Sequence, residues 1–330
     1  MLHSWRLSLS LLLCMPMFTA CPSPVPDVEP TDTFEIRDPI DAFRLDELRE
    51  VNATYTATSE LCYWCHRNLD NGRAMRDEQG RPISPWDLWR GSIMANSARD
   101  PFFRATVSAE QASLPQGAED ISGECMACHA PAAFAEATLA GQPAPTIDVL
   151  SGSDDLALLA RDGGTCVGCH LLDPSKAGDE DTWSGHHAYN SDRLMYGPHT
   201  EPNARPMQNF AQFTPTHHEN ATEAGMCASC HMLQTEAVDA SGAKSGHVLT
   251  EQAPFVEWRS SVFNPERGGD QAQTCQDCHL PTVDMDGNLI ETRIAGGLNV
   301  GNIPERAPFG RHLLVGGNAF VLEVLYDNRG

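Results

Sequence analysis

Apolar positions in this chain fall in short stretches separated by long polar connections, and four of the stretches carry helix signals. Over 41–51, acidic residues are mixed with Phe43, Leu45 and Leu48 in the rhythm of a short amphipathic helix. Over 101–114, Asp100 stands where a cap belongs, Pro101 takes the first turn and Pro115 stops the run. The stretch 153–162 opens on Asp154-Asp155 and closes at Gly163-Gly164, and 251–263 ends before Asn264-Pro265. Residues 283–289 contain Asp286-Gly287, the signature of a hairpin turn. Asp284, Asp286, Asn288 and Glu291 also offer oxygens in the manner of a shortened calcium loop. Their register is not that of an EF-hand, so a turn is the expectation. The pattern predicts a mainly α chain with extensive loops, short helices and little β.

The start of the chain reads differently. Residues 1–20 form a secretory signal, with Arg6 as the positive residue, an apolar core from Leu7 to Phe18 and small residues at Thr19-Ala20. That core is too short, and too interrupted by Pro16, to span a bilayer. Phe18-Thr19-Ala20-Cys21 resembles a lipobox, which would make Cys21 a lipidated N-terminus; an ordinary cleaved signal is the alternative. Residues 21–40 then read as a Pro-rich tether, beginning Pro22-Ser23-Pro24-Val25-Pro26, and 41–330 as the working domain. Both readings export the chain, to the periplasm or, as a lipoprotein, to the outer membrane or cell surface. No second apolar segment has transmembrane length, so the body is expected to be soluble.

Charge narrows the partners. Asp and Glu number 45 against 22 Lys and Arg, a formal charge of −23. A polyanion would be repelled, so nucleic-acid binding is not expected. A basic redox protein would be steered towards such a surface, although acidity also serves solubility alone.

The cysteines carry the chemistry. Of 12, ten fall in five Cys-x-x-Cys-His motifs: Cys62/Cys65/His66, Cys125/Cys128/His129, Cys166/Cys169/His170, Cys227/Cys230/His231 and Cys275/Cys278/His279. Two thiols at this spacing add across the vinyl groups of one haem, and the adjacent His becomes the proximal iron ligand. Zinc is the competing reading, but zinc pairs do not require a His directly after the second Cys. A thioredoxin-like pair would not be repeated five times. Successive motifs start 63, 41, 61 and 48 residues apart, too irregular for a solenoid. Five covalent haem c groups, with the chain folded around them, are therefore expected.

A haem that only carries electrons needs a sixth ligand, and one that does chemistry needs an open position. Beyond the five motif residues and His3, seven histidines remain: His186, His187, His199, His217, His218, His247 and His312. Two adjacent pairs reduce them to five clusters for five irons. Met94, among small residues in Ser92-Ile93-Met94-Ala95, is a further distal candidate, with core packing as its competing role.

Several segments together resemble multihaem cytochromes c of the hydroxylamine oxidoreductase and pentahaem nitrite reductase superfamily, with a cytochrome c-552/4-type domain. They are WDLWRGSIMANSARDP from Trp86, Met195-Tyr196-Gly197-Pro198, Glu251-Gln252 with Glu257-Trp258, CQDCHLP from Cys275, and HLLVGGN from His312. The resemblance implies a chain of parallel and perpendicular haem pairs with mostly bis-His irons. No Cys-x-x-Cys-Lys site occurs, so the lysine-ligated active haem of the nitrite reductases has no counterpart here. The expected function is single-electron transfer along a haem chain between redox partners, more in keeping with a carrier than with an enzyme. The alternatives are a haem enzyme acting on a small nitrogen or sulfur compound at one open iron, and a tethered component of a membrane conduit.

Overall fold

Asp100-Pro101 and Asp154-Asp155 both start helices in the computed structural model, which describes residues 49–239, 241–297 and 300–317. Asp100 accepts the backbone N–H of Phe102 at 2.9 Å, and Asp154 accepts that of Ala157 at 2.9 Å, each filling a donor that the first helical turn leaves unpaired. The helices are α1 (Ser59–His66), α2 (Pro85–Trp89), α3 (Pro101–Ser113), α4 (Ala118–His129), α5 (Pro131–Leu139), α6 (Asp155–Arg161), α7 (Cys166–His170), α8 (Ala204–Ala211), α9 (Pro254–Ser260) and α10 (Cys275–His279). None of those described is long and apolar enough to cross a membrane. The chain is mainly α with extensive loops, and among the described residues its strands pair only two at a time. They are β1 (Leu194–Gly197) parallel to β2 (Thr214–His217), and two antiparallel pairs, β3 (Leu233–Val238) with β4 (Lys244–Gln252) and β5 (Thr292–Arg293) with β6 (Glu305–Arg306).

Two of the expected helices come out differently. The one over 41–51 lies mostly outside the described residues, and 49–51 are not helical. The one over 251–263 shortens to α9, because Glu251 and Gln252 belong to β4. The hairpin that claims them turns on Asp239, whose Oδ1 accepts the N–H groups of Ser241 and Ala243, with Gly242 at φ 84°. The turn at 283–289 is present: Val283 and Leu289 pair across it, and Asp284 Oδ1 accepts from Asp286 and Asn288. Arg81 supplies the positive charge there, bridging Asp77, Asp284 and Asp286. The signal, Cys21 and the tether lie outside the described residues, as does the whole of the unit Met1–Asp41.

Buried apolar residues do not gather in one core. The largest group joins Leu61, Met126, Leu159, Val167, Leu171 and Phe213; separate groups form around Trp183 and Phe255, around Met75 and Ile290, and around Trp86 and Trp89. Loops are held close where side chains are missing. A Cβ on Gly225 would lie 2.7 Å from the carbonyl carbon of Ala177, a backbone contact that cannot turn aside. Gly225→Ala is therefore expected to cost about 1–3 kcal/mol, read as a lower urea midpoint; an unchanged midpoint would mean that the two loops are free to part.

Candidate cofactor cavity

The space missing from the core is a single cavity of about 2750 Å³. Protein interiors pack as densely as organic crystals, so a void of this size marks the place of something large. All fifteen Cys and His residues of the five motifs line it. Shared equally, it allows about 550 Å³ per motif, within the roughly 300–1,000 Å³ of a cofactor pocket.

Each motif is positioned by its own local structure. In α1 and α4 the helix begins well before the first Cys, whereas α7 and α10 start on it. Thr274 caps α10 through a reciprocal box with Asp277. The fourth motif starts on a short 3₁₀ turn, Ala224–Cys227. The histidine rings are then oriented from elsewhere in the chain. Nδ1 of His66 donates to Ile294 O at 3.0 Å, His129 to Ser97 O at 3.0 Å, His170 to Tyr196 O at 2.7 Å and His279 to Val315 O at 2.9 Å. Such a bond fixes the tautomer and leaves Nε2 bare as a metal ligand. Phe103 stacks on the His129 ring at 3.7 Å, holding it from the side.

This arrangement fits haem and does not fit zinc. Among the described residues only one trio of Cys, His, Asp or Glu has its ligand atoms within 4.8 Å of one another, Cys128, His187 and Cys230, and it mixes two motifs. No motif gathers its own two sulfurs and its own imidazole around a common point, as a tetrahedral zinc site would. Redox exchange needs a thiol of lowered pKa, and of the motif thiols that shift only Cys275 is lowered, through its contact with Cys227, while Cys65, Cys125, Cys166, Cys169, Cys227 and Cys230 are all raised. Burial pushes Cys125 up to about 11 and Cys169 up to about 12.

Sulfur contacts give the motifs a spatial order. Cys62 lies beside Cys166, Cys128 beside Cys230, and Cys227 beside Cys275, each pair close enough for one thiol to shift the pKa of the other. Cys169 lies close enough to Cys230 to raise its pKa further. The first motif thus adjoins the third, the third adjoins the fourth, and the fourth adjoins both the second and the fifth. Asp162 sets one of these contacts. Fully buried, it accepts Ser59 N at 2.7 Å, Ser59 Oγ at 2.6 Å and Thr165 Oγ1 at 2.6 Å. It therefore clamps the start of α1 to the cap of α7. Nothing in the spacing of the motifs marks Asp162 for this role; the only signal is an acid just before Gly163-Gly164.

The distal candidates separate by position. His186, His199, His312 and Met94 line the cavity. The ring centres of His312 and His170 lie 6.4 Å apart with planes inclined by 27°. Two imidazoles on opposite sides of one metal ion, with bonds of about 2 Å each, hold their centres about 6 Å apart. Nδ1 of His312 donates to Gly310 O at 3.0 Å and that of His186 to Trp183 O at 2.8 Å, again freeing Nε2. His187 turns into protein instead, with Nε2 2.9 Å from Ala127 O and 4.0 Å from Cys230 Sγ. Nδ1 of His218 accepts from Asn220 N at 3.1 Å, and His217 is exposed at the end of β2. His247 is exposed on β4.

Close to the first motif, burial raises the Glu60 carboxyl to about 7, helped by the negative charge of Asp162. The fold thus favours the neutral acid. The stabilisation is complete below about pH 4.5 and is lost as pH rises through about 7. Glu60→Gln is expected to flatten that part of the stability profile; a denaturation midpoint with the wild-type pH slope would refute the assignment.

Residues 226–301, which contain the fourth and fifth motifs, match the family described as cytochrome c554 and c-prime. No curated protein and no solved structure matches the chain. The family match brings with it covalently bound haem c and electron transfer.

Proposed function

We propose that this c-type cytochrome holds five covalent haems and passes single electrons along them between redox partners. The observation that carries the reading is the one cavity lined by every Cys and His of the five motifs. Cys62/Cys65, Cys125/Cys128, Cys166/Cys169, Cys227/Cys230 and Cys275/Cys278 would form the thioethers, with His66, His129, His170, His231 and His279 as proximal ligands. Each iron, cycling between its ferric and ferrous states, would store one electron. The chain's own part is to fix the imidazoles through carbonyl bonds, keep neighbouring motifs in contact and exclude solvent. The sulfur contacts support a branched order, from the first motif to the third and fourth, with the second and fifth at two further ends.

Haemochrome analysis with intact mass should return five haems per chain, and electron paramagnetic resonance should show predominantly low-spin iron. Fewer than five haems, or a mass without covalent adducts, would overturn the reading. A second reading rests on the distal side. Of the distal candidates, His186, His199, His312 and Met94 line the cavity among the described residues, one fewer than the five proposed irons, so that one iron would stand open to a small nitrogen or sulfur compound. Carbon monoxide binding to the reduced protein at one iron per chain would favour this enzyme-like reading. Complete inertness to carbon monoxide would remove it.

The proposal extends to place and partner. The chain is exported and tethered through a lipid on Cys21, and its charge of −23 suits a basic cytochrome or a membrane conduit. Cys21→Ala is expected to move the protein from the membrane to the soluble exported fraction. Unchanged retention would refute the tether, and an unchanged rate of electron exchange at high salt would refute the charge-steered partner.

A further inference from the structure

We propose that a second, small pocket beside the first motif binds an inorganic oxyanion such as sulfate or phosphate. The pocket has a volume of about 170 Å³, and three of its lining residues are Arg67, Arg73 and Arg293. Among the described residues, no aspartate or glutamate lines it. In a chain with 45 acidic against 22 basic residues, three arginines among the residues that line one small space reverse the local balance. None of the three lines the large cavity, so they are not part of the wall that faces the motif cysteines.

The arginines are available for a ligand. Arg67 rests over the Tyr63 ring at 4.1 Å and donates one terminal nitrogen to the Tyr63 hydroxyl, while its Nε is buried without a hydrogen-bond partner. Arg73 and Arg293 have no ion-pair or hydrogen-bond partner through their side chains among the described residues. Arg76, by contrast, spends its guanidinium on the carbonyls of Leu69, Gly72 and Gly80. That bonding pattern fixes one wall of the pocket. The other wall is fixed by Gly296 N donating to Cys65 O at 2.9 Å and by Met75 N donating to Arg293 O at 3.0 Å. The pocket is thus built before any ligand arrives, which lowers the ordering cost of binding.

Size and chemistry define the ligand class. Planar guanidinium forks match the oxygens of small oxyanions in paired hydrogen bonds. A volume well below the roughly 300–1,000 Å³ of organic-ligand sites leaves room for an inorganic ion and not for a nucleotide. The wall that carries Arg293 also holds the His66 ring through Ile294 O at 3.0 Å, so the bound ion would sit next to the segment that orients the first motif.

The test is equilibrium dialysis of the purified, haem-loaded full chain against labelled sulfate and labelled phosphate, in a chloride background. One ion per chain, saturating below about 1 mM, is expected for at least one of the two. Arg73→Gln and Arg293→Gln, singly and together, should weaken binding, the double variant by about tenfold or more. Both side chains are exposed, so the fold and the haem spectrum should not change. Arg104→Gln, on the exposed face of α3, should bind as the wild type does. Absence of saturable binding of either ion would overturn the proposal, as would equal binding by the double variant or equal loss in the Arg104 control. None of these results bears on haem number or spin state, so the site fails or stands separately from the electron-transfer reading.

Discussion

On the proposed haem assignment, replacing His312 with alanine is expected to convert the haem held by the third motif from low-spin to high-spin iron. The expectation rests on geometry the structure gives without a metal: two imidazole centres 6.4 Å apart, close to the spacing across one ion. The segment that carries His312 is pinned independently of its ring. Arg311 N donates to Pro281 O at 3.0 Å and Leu314 N to His279 O at 3.0 Å, so alanine removes the ligand while the backbone stays in place. Loss of the imidazole should appear as a high-spin signal in electron paramagnetic resonance and as an altered potential for that one haem. Added imidazole should restore the low-spin state, which repair of a merely structural fault would not do. An unchanged low-spin fraction would show that His170 has another partner.

Asp162→Ala is expected to lower stability by about 1–3 kcal/mol for each donor that it leaves without a partner. The loss would be read from the urea midpoint of the haem-loaded protein. Three donors, Ser59 N, Ser59 Oγ and Thr165 Oγ1, would then be left in a buried space. Burial moves the Asp162 carboxyl upward from its ordinary range, and the Ser59 and Thr165 bonds hold it back. Asp162→Asn keeps one accepting oxygen but turns an amide towards the other donors, so an intermediate loss is expected. Because the clamp joins the start of α1 to the cap of α7, the alanine variant should, on the proposed assignment, also disturb haem at the first and third motifs ahead of the others. A loss below about 1 kcal/mol would mean that water or repacking replaces the carboxylate.

How much of this was legible in the chain can be judged residue by residue. Asp100 and Asp154 announced their helices because a cap is a local contact, made within three residues of itself. The turn at Asp286-Gly287 was legible for the same reason. The β3–β4 hairpin was not foreseen, since its exposed strand has no apolar alternation to mark it. The helix expected over 251–263 therefore began too early.

The sequence by itself determined which residues carry the chemistry. Cys-x-x-Cys-His is a five-residue pattern whose bonding is covalent and local, so spacing alone marks the fifteen Cys and His residues, each of which lines the cavity. The tertiary structure decided which motifs are neighbours, which histidines face the cavity and what holds the motifs together. Ser59 and Asp162 meet across 103 positions, and His66 is oriented by Ile294 across 228. Contacts of that range depend on how loops of unequal length close around a shared space. No periodicity or short motif records that, and only the folded chain does.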